Sequence, residues 1–192
     1  MAIFHLRISS MSRASGANAL RVAARYAAGV LVDHRTGEKY DFSEDPGVIH
    51  QEILGPRDRV GFWQDRQSLW QAAEMAEDRK DARVAREYEI ALPYELSDRE
   101  RIELARRWGR FLIERYRNVV DLTVRTPPPG GDPRNHYAKL LATTRRLSGE
   151  GLGAKTGIEL RVGEQTGPKE LRYLHQHWRR LVGEALRATV PV

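Results

Sequence analysis

The sequence predicts an α+β protein, because short strand-like runs and longer helical patterns follow one another along the chain. Five short segments alternate apolar and polar residues or are rich in strand-forming residues, as β-strands do: residues 2–9, 48–54, 84–92, 119–126 and 136–147. Four longer segments repeat apolar residues every three or four positions, which is typical of amphipathic helices: residues 18–28, 59–80, 97–116 and 168–186. No repeat or linker separates them, so we expect residues 1–192 to form one domain.

The first part of the chain carries clear start and stop signals. Residues 2–9 (AIFHLRIS) place apolar side chains on one face of a strand, and the polar residues 9–16 then predict a turn. The Ala-rich segment 18–28 follows, with Gly29 positioned to end a helix. Residues 33–40 (DHRTGEKY) contain a Thr-Gly turn and predict a short hairpin.

Proline and capping residues mark the later boundaries. Gly55 and Pro56 end the second predicted strand, and Pro93 ends the third, since proline cannot donate to a sheet ladder. Ser97 and Glu100 have the spacing of a capping box, which predicts a helix beginning there. Two further strands and a last amphipathic helix complete the α+β series.

Composition limits the classes of function. The chain has no cysteine, so disulfides and thiolate metal sites are excluded, which suits a cytoplasmic protein. No segment approaches the roughly 20 apolar residues of a membrane span, so we expect no membrane insertion. A net charge of +6 is compatible with a nucleic-acid partner but does not demand one.

The most informative stretch begins after a loop rich in Pro and Gly, residues 126–133. Residues two apart in a strand share a face, so Tyr137 and Lys139 are predicted side by side, with Ala138 on the other face. His136 also points away from that pair, and a packing or hydrogen-bonding role is expected for it.

Five segments, in this order, resemble MobA/MobL-type conjugative relaxases, the DNA strand transferases of plasmid mobilisation. They are AIFHL, ARYAAG, DHRTGEKYDF, ARVAREYEIALPYELSD and RNHYAKLLATTRRLSGEGLGAKT. The resemblance implies an antiparallel sheet of about five strands with flanking helices (a relaxase or HUH-endonuclease-like fold), with DNA held across the sheet. It also implies that the partner is single-stranded or hairpin DNA at a transfer origin, together with other relaxosome proteins.

The resemblance assigns the attacking nucleophile to Tyr26, although a helix residue that packs on the sheet would look the same. The family's three metal-binding histidines fall on Arg125, Tyr137 and Lys139. Neither Arg nor charged Lys has a free lone pair, and neutral Tyr is a poor ligand, so a histidine-type site cannot form. We therefore expect no metal and no other cofactor.

Two of the three replacements are cations, which leaves several interpretations open. Arg125 and Lys139 are candidates to replace the charge of the metal, by clamping a phosphate and by donating a proton. Glu87 and Glu89 share a strand face and either pair with these cations or line a solvated sheet edge.

Three functions are compatible with the sequence. The first is DNA binding without cleavage, the second is metal-independent strand transfer by Tyr26, Arg125 and Lys139, and the third is a non-catalytic scaffold in the transfer complex. The candidate DNA contacts are Arg13, Arg134, Tyr137, Arg145 and Arg146. The candidate supporting residues are Glu87, Glu89 and His136.

Overall fold

The computed structural model describes residues 4–149, 151–159 and 167–189. The strands are β1 (Leu6–Ser12), β2 (Val30–Asp33), β3 (Glu38–Asp41), β4 (Val48–Leu54), β5 (Arg83–Leu92), β6 (Val120–Arg125), β7 (His136–Thr143), β8 (Arg145–Ser148) and β9 (Gly151–Lys155). The helices are α1 (Ala19–Tyr26), α2 (Arg66–Met75), α3 (Asp98–Tyr116) and α4 (Gly167–Ala188).

A five-stranded sheet in the order β1-β5-β7-β6-β4 forms the centre of the molecule, and every neighbouring pair in it is antiparallel. Two small ribbons, β2-β3 and β8-β9, lie outside that sheet. The predicted α+β fold with five antiparallel strands and flanking helices is therefore confirmed.

Helices α3 and α4 cover one face of the sheet. Side chains that alternate along the three middle strands, such as Tyr88 and Leu140, are fully buried there against Trp108 and Trp178. The two indole rings meet edge to face with centroids 5.7 Å apart. Two of the four tryptophans of the chain are thus used in this core.

Helices α1 and α2 cover only part of the opposite face. Leu20 of α1 and Trp70 of α2 are fully buried, and they pack with Leu141 of β7. Farther along β7 the same sheet face carries Tyr137 and Lys139, which no longer lie under this apolar layer. We call this uncovered part of the sheet the open face.

Three predicted segments show the largest differences from the structure. The predicted strand 136–147 is two strands, because the chain turns at Thr144, whose hydroxyl donates to the Arg83 carbonyl at 3.0 Å. The first strand begins at Leu6 and continues to Ser12, since its pairing with β5 extends to Arg83.

The predicted helix 59–80 is shorter in the structure, where α2 spans Arg66–Met75. A single turn of 3-10 helix comes first, and then the Asp65 carboxylate caps α2 by accepting from the Ser68 backbone N–H at 2.8 Å. In the described part of the chain, no helix has the length and apolar character needed to cross a bilayer.

Candidate functional site

Tyr26 is the last residue of α1, and the helix places it beside the open face. Asn18 caps the helix by accepting from the Arg21 backbone N–H at 3.1 Å, and Leu20 and Ala24 bury its apolar side. The ring of Tyr26 lies against Lys139, whose Nζ is 5.2 Å from the ring centroid. The two predicted site residues Tyr26 and Lys139 are therefore neighbours.

Lys139 occupies the middle of the sheet, opposite Glu89 of β5 and Thr123 of β6. Its Nζ donates to Glu87 Oε1 at 2.8 Å and also to Glu89 Oε2. Burial favours the neutral amine, but the two carboxylates outweigh burial and raise the pKa of Lys139. We call Lys139, Glu87 and Glu89 the open-face cluster.

The hydroxyl of Tyr26 is held in its protonated form. Burial raises the pKa of Tyr26 far above its ordinary value, and the negative charge of the nearby Glu87 carboxylate raises it further. Attack by Tyr26 on a phosphate thus requires a base to remove this proton.

Arg125 lies at the end of β6 and is 8% exposed. Its Nη1 donates to the carbonyls of Arg25 and Tyr26, both at 3.2 Å. Its Nη2 donates to Asp45 Oδ1 at 2.7 Å and to the Pro46 carbonyl at 2.8 Å. Both terminal nitrogens of Arg125 are therefore occupied in tying the end of α1 to the loop before β4.

A cavity of about 640 Å³ opens between these groups. It is lined by the end of α1, by residues 45–47 and 125–129, and by Tyr137 and Lys139 of β7. The structure thus brings together all three predicted catalytic residues, Tyr26, Arg125 and Lys139, with Tyr137.

Arg125, Tyr137 and Lys139, which the resemblance aligns with metal-binding histidines, do not fit a metal ion. Arg125 and charged Lys139 have no lone pair to donate, and Glu87 and Glu89 are already bound to Lys139. Elsewhere among the described residues, no group of three His, Cys, Asp or Glu side chains is arranged to hold a metal.

His136 lies on the other side of the sheet. Burial lowers its pKa, as does the neighbouring Arg101 near the start of α3. Its Nδ1 atom is buried without a hydrogen-bond partner among the described residues. The predicted orientation of His136, away from Tyr137 and Lys139, agrees with this position.

The four candidate DNA-binding arginines do not line the cavity formed by the described residues. Arg13 donates to Glu74 and Arg145 to Glu77, so both are bound to buried carboxylates inside the protein. These two are placed to hold elements together rather than to contact DNA. Their acidic partners lie more than 60 residues away in sequence, and no local pattern indicated them.

Arg134 and Arg146 are exposed. Arg134 pairs with Asp132 at 2.7 Å in the loop before β7, and Arg146 lies in the β8-β9 ribbon beside Arg117. For these two, DNA contact stays a prediction.

The sequence interpretation missed three contributors to the cavity. Arg25, Asp45 and the prolines at 127–129 all line it. The Pro/Gly loop was noticeable in the sequence, but nothing there linked Asp45 to Arg125, which lies 80 residues later.

Comparisons with known proteins fit this arrangement. The model of the MobA/MobL family matches residues 18–188. The mobilization protein MobL of Acidithiobacillus ferridurans is 39% identical over 128 residues, which cover 66% of this chain and 33% of MobL. The conjugal transfer protein TraA of Rhizobium radiobacter is 30% identical over 93% of this chain, but that match covers 17% of TraA. The chain thus spans a third or less of the length of these two relatives.

Solved structures share the fold. One from work on the molecular basis of vancomycin resistance transfer in Staphylococcus aureus has a TM-score of 0.85 and 26% identity, covering 98% of this chain and 95% of that one. The relaxase TrwC, solved with a 27-mer DNA comprising the recognition hairpin and the cleavage site, has a TM-score of 0.58 and 13% identity. That match covers 96% of this chain and 69% of TrwC. With a family model that matches nearly the whole chain, this protein belongs to the MobA/MobL family.

Proposed function

We propose that this chain is a relaxase-fold DNA-binding protein of plasmid mobilisation, which binds single-stranded or hairpin origin DNA without a metal centre and without cutting it. The family and its relatives in mobilisation and conjugal transfer support the DNA partner. TrwC, which shares the fold, was solved with such DNA. The net charge of +6 agrees with a polyanionic ligand.

The absence of cleavage rests mainly on one observation, the internal neutralisation of the open-face cluster. Cleavage of a phosphodiester needs positive charge that stabilises the added negative charge of the transition state. Lys139 is bound by both Glu87 and Glu89, so the cluster of one ammonium and two carboxylates has a net charge of −1. A phosphate at this position meets repulsion rather than the attraction that a metal ion would provide.

Arg125 does not compensate for that loss. Its two terminal nitrogens donate to three carbonyls and one carboxylate, and its side chain is almost fully buried. A phosphate clamp would require Arg125 to give up several of these hydrogen bonds, each made to a group that would then need a new partner. We infer that Arg125 positions α1 and does not bind the scissile phosphate.

A metal titration tests the first part of the proposal. We expect calorimetric titration with Mn²⁺ to show no tight one-to-one binding. A one-to-one site that disappears in Tyr137→Ala would restore the ordinary relaxase mechanism and contradict the proposal.

DNA binding is tested by a gel shift with a hairpin that carries a single-stranded tail. Because most of the affinity would come from Lys and Arg on phosphates, we expect it to fall steeply between about 50 and 200 mM salt. A complete absence of binding at the low end would leave the protein-only scaffold as the better explanation.

Metal-independent strand transfer is the second candidate, and the position of Tyr26 beside Lys139, which is itself bound to Glu87, favours it. In this reaction the Tyr26 oxygen gives its proton to Glu87 and forms the new bond to phosphorus. The ester bond to the departing DNA oxygen breaks, and that oxygen takes a proton from Lys139. The geometry supplies the base and the acid, but neither Arg125 nor Lys139 has a free charge for the phosphate.

Adduct formation separates the two candidates. Labelled oligonucleotides with several origin sequences are incubated with the protein in EDTA and run on denaturing gels. We expect no covalent adduct although native gels show binding, and Tyr26→Phe should bind DNA as the wild type does. An EDTA-resistant adduct that Tyr26→Phe abolishes would show that the chain is a metal-independent strand transferase.

A further inference from the structure

We propose that the cavity on the open face takes an unstacked nucleobase of single-stranded DNA, with Tyr137 as its stacking platform and Arg25 at the adjoining phosphate. This inference rests on the proposed DNA binding and gives the cavity a specific ligand. Tyr137 and Lys139, the pair that the resemblance aligns with two metal-binding histidines, would thus lie beside a base.

Arg125 and Lys139, the two paired cations of the cavity, have no free charge for a phosphate inside it. Arg125 donates to the two carbonyls at the end of α1, to the Pro46 carbonyl and to Asp45. Lys139 is bound by Glu87 and Glu89. An anion that entered would have to displace these partners, whereas an uncharged ring would not.

The walls instead suit a flat apolar ring. Pro127, Pro128 and Pro129 line one side, and proline offers a rigid ring without an N–H donor. Tyr26 and Tyr137 contribute aromatic rings from α1 and β7, and Tyr137 is only half-buried. The volume of about 640 Å³ lies within the range of small-molecule pockets, roughly 300–1,000 Å³, so it has room for a base.

Arg25 supplies positive charge at the edge of the cavity. It is exposed, it lines the cavity, and it forms no ion pair with another described residue. Uncharged rings within and a free guanidinium at the edge match a nucleotide whose base points in and whose phosphate stays outside. Base–aromatic stacking of this kind is tolerant of sequence because every base has a π-face.

The test uses two DNA hairpins with single-stranded tails of equal length, one of thymidines and one of abasic residues. Both tails carry the same phosphates, so their affinity ratio reports the bases alone. We expect the wild type to prefer the thymidine tail roughly 5- to 150-fold, the range that stacking of a base on an aromatic side chain provides. Tyr137→Ala should abolish the preference, and Tyr137→Phe should keep it.

The abasic probe also serves as the control for folding, since Tyr137→Ala should bind it as the wild type does. Arg25→Ala should weaken both probes by the same factor. Equal affinity of the wild type for the two tails, or a preference that survives in Tyr137→Ala, would overturn the nucleobase site while leaving DNA binding intact. Failure of the wild type to bind either hairpin would instead overturn the proposed function itself.

Discussion

Two charged clusters lie on the same face of the central sheet, and they differ in what covers them. In the first, Asp121 of β6 accepts hydrogen bonds from Arg66 at 2.7 and 2.9 Å and from the Trp70 indole at 2.9 Å, all under α2. The second is the open-face cluster around Lys139, which borders the cavity. Asp121 is 4% exposed, whereas the Glu89 side chain is 28% exposed.

The comparison separates two properties, the pairing of charges within the protein and the access of a ligand to those charges. Both clusters pair their cation internally, with Arg66 bound to Asp121 and Lys139 bound to Glu87 and Glu89, so neither offers a free cation. Only the open-face cluster can be reached by a ligand that competes for its hydrogen bonds. Internal pairing therefore decides how much charge is available. Burial under a helix decides whether a ligand can reach the pair and change it.

The largest expected effect is on the covered cluster. Asp121→Ala leaves the Arg66 guanidinium and the Trp70 indole without their shared acceptor, which should lower the free energy of unfolding by about 3 kcal/mol. Urea unfolding measures the loss. The double variant Arg66→Met with Asp121→Leu should recover part of it, because no charge is then left unpaired. A loss no greater than that of Lys139→Met would remove the distinction between the clusters.

Two aspartates that bind an arginine at the same sequence spacing test the effect of burial. Asp33 and Asp132 each bind the arginine two residues later, Arg35 and Arg134, but only Asp33 is fully buried. Burial raises the pKa of Asp33, yet hydrogen bonds from Arg35 and Asn18 outweigh it and lower that pKa from 3.8 to about 2.

Because the folded-state pKa of Asp33 is depressed, its stabilisation is present above pH 3.8 and is lost as the pH falls towards about 2. Asp33→Asn should therefore remove roughly 2 kcal/mol at neutral pH and flatten the acid limb of a plot of unfolding free energy against pH. Asp132→Asn should change both much less, since water screens its ion pair. Equal effects of the two substitutions would show that burial does not determine how much such an ion pair stabilises the protein.

An intermediate effect is expected in the open-face cluster. Lys139→Met leaves Glu87 and Glu89 facing one another, and we expect a loss of about 1 kcal/mol, between the values for exposed and buried pairs. Adding Glu87→Gln should restore most of the stability in urea unfolding, because one of the two like charges is then gone. No restoration would indicate that Lys139 contributes by packing rather than by pairing.

The smallest effect concerns DNA. Glu89→Gln releases part of the charge of Lys139, so we expect affinity for tailed hairpin DNA to rise roughly two- to fivefold at low salt, with a steeper salt dependence. Glu103→Gln, an equal change of charge at an exposed residue of α3 on the other side of the sheet, is the control. A similar rise in the control would assign the gain to net charge instead of to the cluster.

The strands and the side-by-side placement of Tyr137 and Lys139 were predictable because alternation is a local property of the sequence. The break at Thr144 was not, since the hydroxyl that stabilises it bonds to Arg83, 61 residues earlier. The prediction of α2 was too long because the Asp65 cap lies inside an otherwise continuous helical pattern.

The sequence indicated which residues form the candidate site but not how their charges are paired. Resemblance identified Tyr26, Arg125 and Lys139, and the structure brings them around one cavity. Nothing in the sequence shows that Arg125 donates to Asp45 and to the end of α1, because these contacts join parts of the chain 80 to 100 residues apart. An arginine in a sequence thus indicates a cation, while its partners decide whether that cation is free.

The contacts of Arg125 also have a kinetic consequence. They fasten the end of α1 and the loop 45–47, and the Thr126 backbone N–H joins the same loop by donating to the Gly47 carbonyl at 2.9 Å. A binding cavity whose walls are already fixed loses little conformational entropy when a ligand enters. Association with DNA should then be governed by diffusion and ionic strength, and the lifetime of the complex by how firmly the preorganised cavity holds its occupant.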